Sequence, residues 1–284
     1  GRAAQRSPVS AFKTLAPGSM WKLVGYLGIL TGAGILSYYG VVAGWTVGYL
    51  VYGVTGELSE ANPGKLFGGF VKNWQLQLVY LVVFMGITMV VVLGGVRKGI
   101  ERLTKVLMPL LLIMLCGLIV NGLMQPKAGD GLSFYLKPDF SAVTGMTFVY
   151  ALGQAFFSLS LGMGAMLTYG SYMAKKENLA TAGTYVVIFD TAIALMAGLM
   201  IFPMLGGKPE AGGPGLVFVV LTQQFQSMTG GTAVAIIFFA LLAVAALTST
   251  VSLLEVVTSS LVDEWKISRR KAAIGSTVGI ALLG

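Results

Sequence analysis

The chain has 284 residues, 56% of them hydrophobic and only 11% charged, with a mean hydropathy of +0.82. An ordinary soluble domain carries about 25% charged residues, so a water-facing surface of this size cannot be covered and the chain belongs in a membrane. The absence of histidine and the single Cys116 exclude serine–histidine proteolysis, histidine metal sites, an internal disulfide and multi-cysteine clusters; the net charge of +8, which would suggest nucleic acid in a soluble chain, is expected to sort by membrane side instead.

The chain opens Gly1-Arg2-Ala3, with neither methionine nor a secretory pattern. It ends at Gly284 inside an apolar run, so a piece of a larger protein is expected. Six apolar runs reach the roughly 17–25 residues that a spanning helix needs. They cover residues 23–51, 76–95, 103–124, 143–169, 184–205 and 232–261, and a seventh begins near residue 272. None alternates with period two, so helices are predicted rather than barrel strands.

With residues 1–22 inside, 14 of the 19 lysines and arginines fall on the inner side. The positive-inside rule therefore places residues 1–22 in the cytoplasm, and a cell membrane, the bacterial inner membrane, is the expected location. Net charge sorts as +10 inside, zero outside and −2 within the spans, where only Asp190 and Glu255 remain. The outer segment 206–229 carries Gly-Gly-Pro-Gly at 212–215 and then an apolar stretch, 216–221. Two readings stand for it: a short helix folded back toward the membrane, or a plain surface loop.

Several polar groups stand where hydrocarbon should make them costly. Residues 154–164, QAFFSLSLGMG, set two serines and two glycines in mid-span. Glycine is a poor helix former and serine bonds freed backbone groups. The stretch is read either as a break exposing backbone groups to a ligand or as close helix packing.

In the sixth span Ala245, Thr248, Ser249 and Ser252 share one helical face. They offer hard oxygen donors for an alkali cation, or hydroxyls that bond between helices. Asp190 carries an insertion cost of at least ~2.5–3.5 kcal/mol, relieved by a cation or by protonation. Glu255 lies about 9 Å, some two turns, inside the cytoplasmic end of its span. It borders an inner pathway or makes a helix-end hydrogen bond. Tyr38 and Tyr39 sit mid-span above Trp45, and a buried phenol needs a polar partner.

Taken together, GQAFFSLSLGMGAMLTYGSY at 153–172, RKGIER at 97–102, LTS at 247–249 and LVDE at 261–264 resemble the neurotransmitter:sodium symporter family. The resemblance covers nearly the whole chain and is nearest to the bacterial amino-acid members. It implies an all-α polytopic membrane protein, a fragment of the twelve-helix inverted-repeat, leucine-transporter-type fold. Residues 1–284 then form one transmembrane transporter domain fragment, from the end of family helix 2 through helices 3 to 8 to the start of helix 9.

The resemblance also implies roles. Tyr39 matches the holder of the substrate carboxylate and Phe157 the aromatic lid. Ser160 and Met163 match unwound-helix residues around the ligand, and Ile35, Ser249 and Leu253 match other pocket positions. Ser158 and Asp190 match ligands of a first sodium site. Ala245, Thr248 and Ser249 match half of a second. Gln154 matches a residue near the outer gate, and Tyr172 and Asp263 match the inner gate. Both sodium sites are expected to lack ligands that the family takes from its first helix, so the fragment alone is expected to be inactive.

Asp190 stands where many chloride-using relatives have asparagine. A fixed carboxylate can replace the anion, so chloride independence is expected. Met163 is flexible enough to repack around large apolar groups. With Ile35 and Leu253 alongside, a neutral hydrophobic amino acid is the expected substrate. The expected partners are thus that amino acid, sodium ions and membrane lipid, with no nucleic acid and no organic cofactor. A homodimer stays open. An enzyme is not expected, since an aspartyl protease needs two aspartates within spans. The alternatives are a proton-coupled amino-acid transporter of similar architecture, or a non-transporting sensor.

Overall fold

The computed structural model describes all residues except 208–211, and for residues 96–98 the backbone alone. Lys208 and Glu210, two of the charges counted on the outer side, and the side chains of Arg97 and Lys98 therefore lie outside the described residues. Among the described residues every regular element is a helix. A short α1, Pro8–Leu15, precedes the long α2, Lys22–Thr55. Then come α3, Pro63–Lys72, and α4, Trp74–Leu93. A π-helical turn at Val96–Glu101 leads into α5, Arg102–Leu123.

The second half runs through α6, Ala128–Leu136, α7, Gly145–Ser158, α8, Ala165–Tyr172, and α9, Leu179–Leu205. It closes with α10, Leu221–Gln226, α11, Gly231–Trp265, and α12, Arg269–Ala281. Side-chain caps fix several starts. Asn62 accepts from the Lys65 N–H, Asn73 from the Leu76 N–H and Asn178 from the Ala180 N–H. Thr144 and Thr147 close a reciprocal box at the start of α7.

Among the described residues, five helices are long and apolar enough to cross a membrane: α2, α4, Gly99–Leu123, α9 and α11. The fourth expected span, 143–169, is divided into α7 and α8, each too short to cross alone. The outer segment takes the helical reading. Gly213–Gly215, a π-helical turn at Leu216–Val220 and α10 follow one another without a gap.

α11 packs along α2, α5, α8 and α12. α4 joins α2, and α9 lies against α5 and α6. One core cluster is rich in aromatics, with Tyr49 in ring contact with Phe70, Phe218 and Phe239. A second, around Leu36, Met85, Met163, Leu254 and Val256, runs beside the break between α7 and α8. No residue of α7 is buried. That helix meets the rest of the chain mainly through its far end, where the candidate site begins.

Candidate functional site

The break follows from backbone chemistry. Within Leu159–Gly164, Ser160 has φ +55°, Gly162 +80° and Gly164 +78°. Glycine adopts such values freely, and a single serine tolerates them. The ladder of α7 ends with the Leu161 N–H on the Phe156 carbonyl, 2.8 Å, and resumes where the Thr168 N–H meets the Gly164 carbonyl, 3.0 Å. α2 can approach the break because Gly28 and Gly32 lack side chains. A Cβ on Gly32 would stand 3.1 Å from the Met163 carbonyl oxygen, and one on Gly28 3.2 Å from the Gly164 nitrogen.

Beside the break opens a cavity of about 710 Å³, within the roughly 300–1,000 Å³ range of small-molecule sites. Twelve of the residues singled out above line it: Ile35, Tyr39, Gln154, Phe157, Ser158, Ser160, Met163, Asp190, Thr248, Ser249, Ser252 and Leu253. Ile35 and Tyr39 come from α2, and Thr248, Ser249, Ser252 and Leu253 from α11. Asp190 comes from α9, and the rest from α7 and the break. Tyr38, the neighbour of Tyr39, points away and is 62% exposed.

Two polar groupings face this cavity. The Ser158 hydroxyl donates to Asp190 Oδ1 at 2.6 Å, joining α7 to α9. On α11 the Thr248 hydroxyl donates to the Ala245 carbonyl at 2.8 Å, and the Ser249 hydroxyl to the same oxygen at 3.4 Å. Three oxygens thus converge from one helical turn. The Tyr39 phenol of α2 lines the same cavity as Ser249. Both groupings are hard-oxygen sets suited to an alkali cation. Ala245 does not line the cavity; its carbonyl joins the grouping by accepting from Thr248 and Ser249.

Tyr172 and Asp263 stand apart from the cavity and from each other's hydrogen bonds. The Tyr172 hydroxyl donates to Glu255 Oε1 at 2.5 Å. Glu255, fully buried, also holds the guanidinium of Arg269, at 3.1 Å to Oε1 and 2.5 Å to Oε2. Arg269 further donates to the Val92 carbonyl from Nε at 3.1 Å and Nη2 at 2.8 Å. Neither reading given above for Glu255 included this ion pair. Asp263 Oδ2 accepts from the Ser7 backbone N–H at 2.7 Å. Next to it Glu264 accepts from Ser10 and Lys13. Together these contacts fasten α1 to the Trp265 end of α11.

Sequence reasoning missed one wall of the cavity, formed by Ile100, Leu103, Thr104 and Met108 around the start of α5. Their only local signal is the π-helical turn, which hydropathy does not register. It also left Tyr169 and Met166 of α8 without a part, although both line the cavity.

The sequence profile described as the Sodium:neurotransmitter symporter family matches residues 65–283. An uncharacterized sodium-dependent transporter of Haemophilus influenzae is 39% identical over 274 residues, covering 93% of this chain and 60% of its own length. The uncharacterized sodium-dependent transporter YhdH of Bacillus subtilis is 37% identical over 290 residues, covering 100% of this chain and 64% of its own length. Among solved structures, MhsT in complex with L-phenylalanine superposes with a TM-score of 0.91 at 47% identity, over 100% of this chain and 66% of that one. The chain therefore spans about two thirds or less of the length of these relatives.

Proposed function

The chain belongs to the Sodium:neurotransmitter symporter family, and we propose that it forms the central part of a sodium-coupled symporter for a neutral hydrophobic amino acid, working by alternating access. The observation that carries this reading is the meeting, in one cavity beside a broken helix, of the Ser158–Asp190 pair and the Ala245–Thr248–Ser249 turn. The first set belongs to one sodium site and the second to another, each completed by ligands from outside this chain. Tyr39 receives the substrate carboxylate, Phe157 closes over it, and Ser160 and Ser249 supply polar contacts.

The side-chain pocket between Ile35, Met163 and Leu253 carries no charge. L-phenylalanine, the ligand of MhsT, is of the class it accepts. Gln154 belongs to the outer gate, and Tyr172 and Asp263 to the inner one. The basic bias of residues 1–22 and of the other inner segments places these in the cytoplasm of a cell whose plasma membrane holds the transporter. Asp190, as a fixed carboxylate at the first sodium site, makes transport independent of chloride.

Uptake by the full-length protein in proteoliposomes tests this reading. A sodium gradient alone should drive accumulation of L-phenylalanine or leucine, and replacing chloride by gluconate should leave the rate unchanged. Uptake driven by a pH gradient without sodium would instead make Asp190 a proton carrier. Loss of uptake when chloride is removed would refute the role given to its charge.

A further inference from the structure

Ser252 stands one turn beyond Thr248 on α11 and makes two bonds at once. Its hydroxyl donates to the Thr248 carbonyl at 2.9 Å and accepts from the Tyr169 hydroxyl at 2.9 Å. Tyr169 belongs to α8, the half-helix beyond the break, and both residues line the cavity. One turn further on, Tyr172 donates to Glu255. The pairs 169/172 and 252/255 have the same three-residue spacing, so α8 and α11 lie in register on two hydroxyl rungs. The second rung is held by Arg269 of α12. The first leads directly to the peptide of Thr248.

We propose that Tyr169 and Ser252 are positioning residues for the second sodium site. The inference rests on the reading of Ala245, Thr248 and Ser249 as that site. A cation there would meet oxygen lone pairs, so the Thr248 and Ser249 protons that now face the Ala245 carbonyl would turn away. The turn must hold its shape through that change. Ser252 holds it from below, since a hydroxyl bonded to the carbonyl four residues earlier sets the local bend of a helix. Its proton is committed to Thr248, which leaves its lone pairs to accept from Tyr169. The Tyr169 bond in turn fixes the rotamer of Ser252 and anchors α8 at the level of the ion. Sodium occupancy and the placement of the inner half-helix are thereby linked through two side chains that need not touch the ion.

Equilibrium binding of radiolabelled sodium to the purified full-length transporter, in wild type and variants, tests this. A net buried hydrogen bond contributes about 0.5–1.5 kcal/mol. Tyr169→Phe and Ser252→Ala should therefore raise the half-saturating sodium concentration about threefold to tenfold at one site, with binding capacity unchanged. The double variant should be no weaker than Ser252→Ala alone, and Ser252→Thr, which keeps the hydroxyl, should behave as wild type. A purely structural role would instead lower capacity, and that result overturns the inference. So does unchanged half-saturation in Tyr169→Phe and Ser252→Ala when Thr248→Ala weakens binding; the sodium-site reading then survives. If Thr248→Ala also leaves sodium binding intact, both fall together.

Discussion

Gly32 sets how near the broken helix comes to α2. Its absent side chain leaves the Met163 carbonyl 3.1 Å from where a Cβ would stand. That contact is tight enough that a methyl group must push the backbone of the break, and overpacking of this kind costs about 1–3 kcal/mol. Gly32→Ala is therefore expected to weaken amino-acid binding about tenfold in an equilibrium binding assay. Gly34→Ala, with nothing within 4 Å, should bind as wild type. Equal affinities for the two variants would show that the break does not depend on this approach. At this scale the sequence was readable where hydrocarbon made a group costly. Asp190 announced itself as a carboxylate in an apolar run, and it meets Ser158. Arg269 did not announce itself. It lies 14 residues beyond Glu255, on the next helix, and no spacing rule within one helix pairs the two.

The interrupted span is the element on which the site depends. Two serines and two glycines in mid-span left a break and close packing as rival readings, and the positive φ values at 160, 162 and 164 decide for the break. Gly164 is the most constrained of the three. Its φ is +78°, and an added Cβ would lie 2.9 Å from Val256 Cγ1. Left-handed backbone costs a side-chain-bearing residue roughly 1–2 kcal/mol. Gly164→Ala should lower the thermal unfolding midpoint of the purified protein, while Gly162→Ala, which has the same strain but open space, should lower it less. A larger loss in Gly162→Ala would mean that packing against α11 is not what holds the break. The outer segment stood between two readings for a plain reason. Gly-Gly-Pro-Gly marks a turn as readily as a helix start, and the six apolar residues after it are too few to show a period. The π-helical turns at Val96–Glu101 and Leu216–Val220 left no trace in composition, and the cavity wall at the start of α5 went unread with the first of them.

For the molecule as a whole, shortage of charge placed the chain in a membrane, and apolar run lengths gave helix positions to within a few residues. Charge and hydropathy could not reveal which helices meet around the cavity. That came from the motifs, because order along the chain does not specify that α2, α7, α9 and α11 share one cavity. The assembled picture puts two oxygen-donor sets beside one open cavity, and toward the Trp265 end of α11 an ion pair between the fully buried Glu255 and the partly exposed Arg269. Removing Arg269 would leave the buried Glu255 carboxylate without its cation, a loss of about 3–5 kcal/mol. The central claim is that sodium and an amino acid bind here as one unit. Its most direct test is equilibrium binding of L-phenylalanine to the purified full-length protein, in sodium and then in potassium, at constant pH and chloride. The account predicts saturable binding in sodium that disappears in potassium; equal binding in both salts would contradict it.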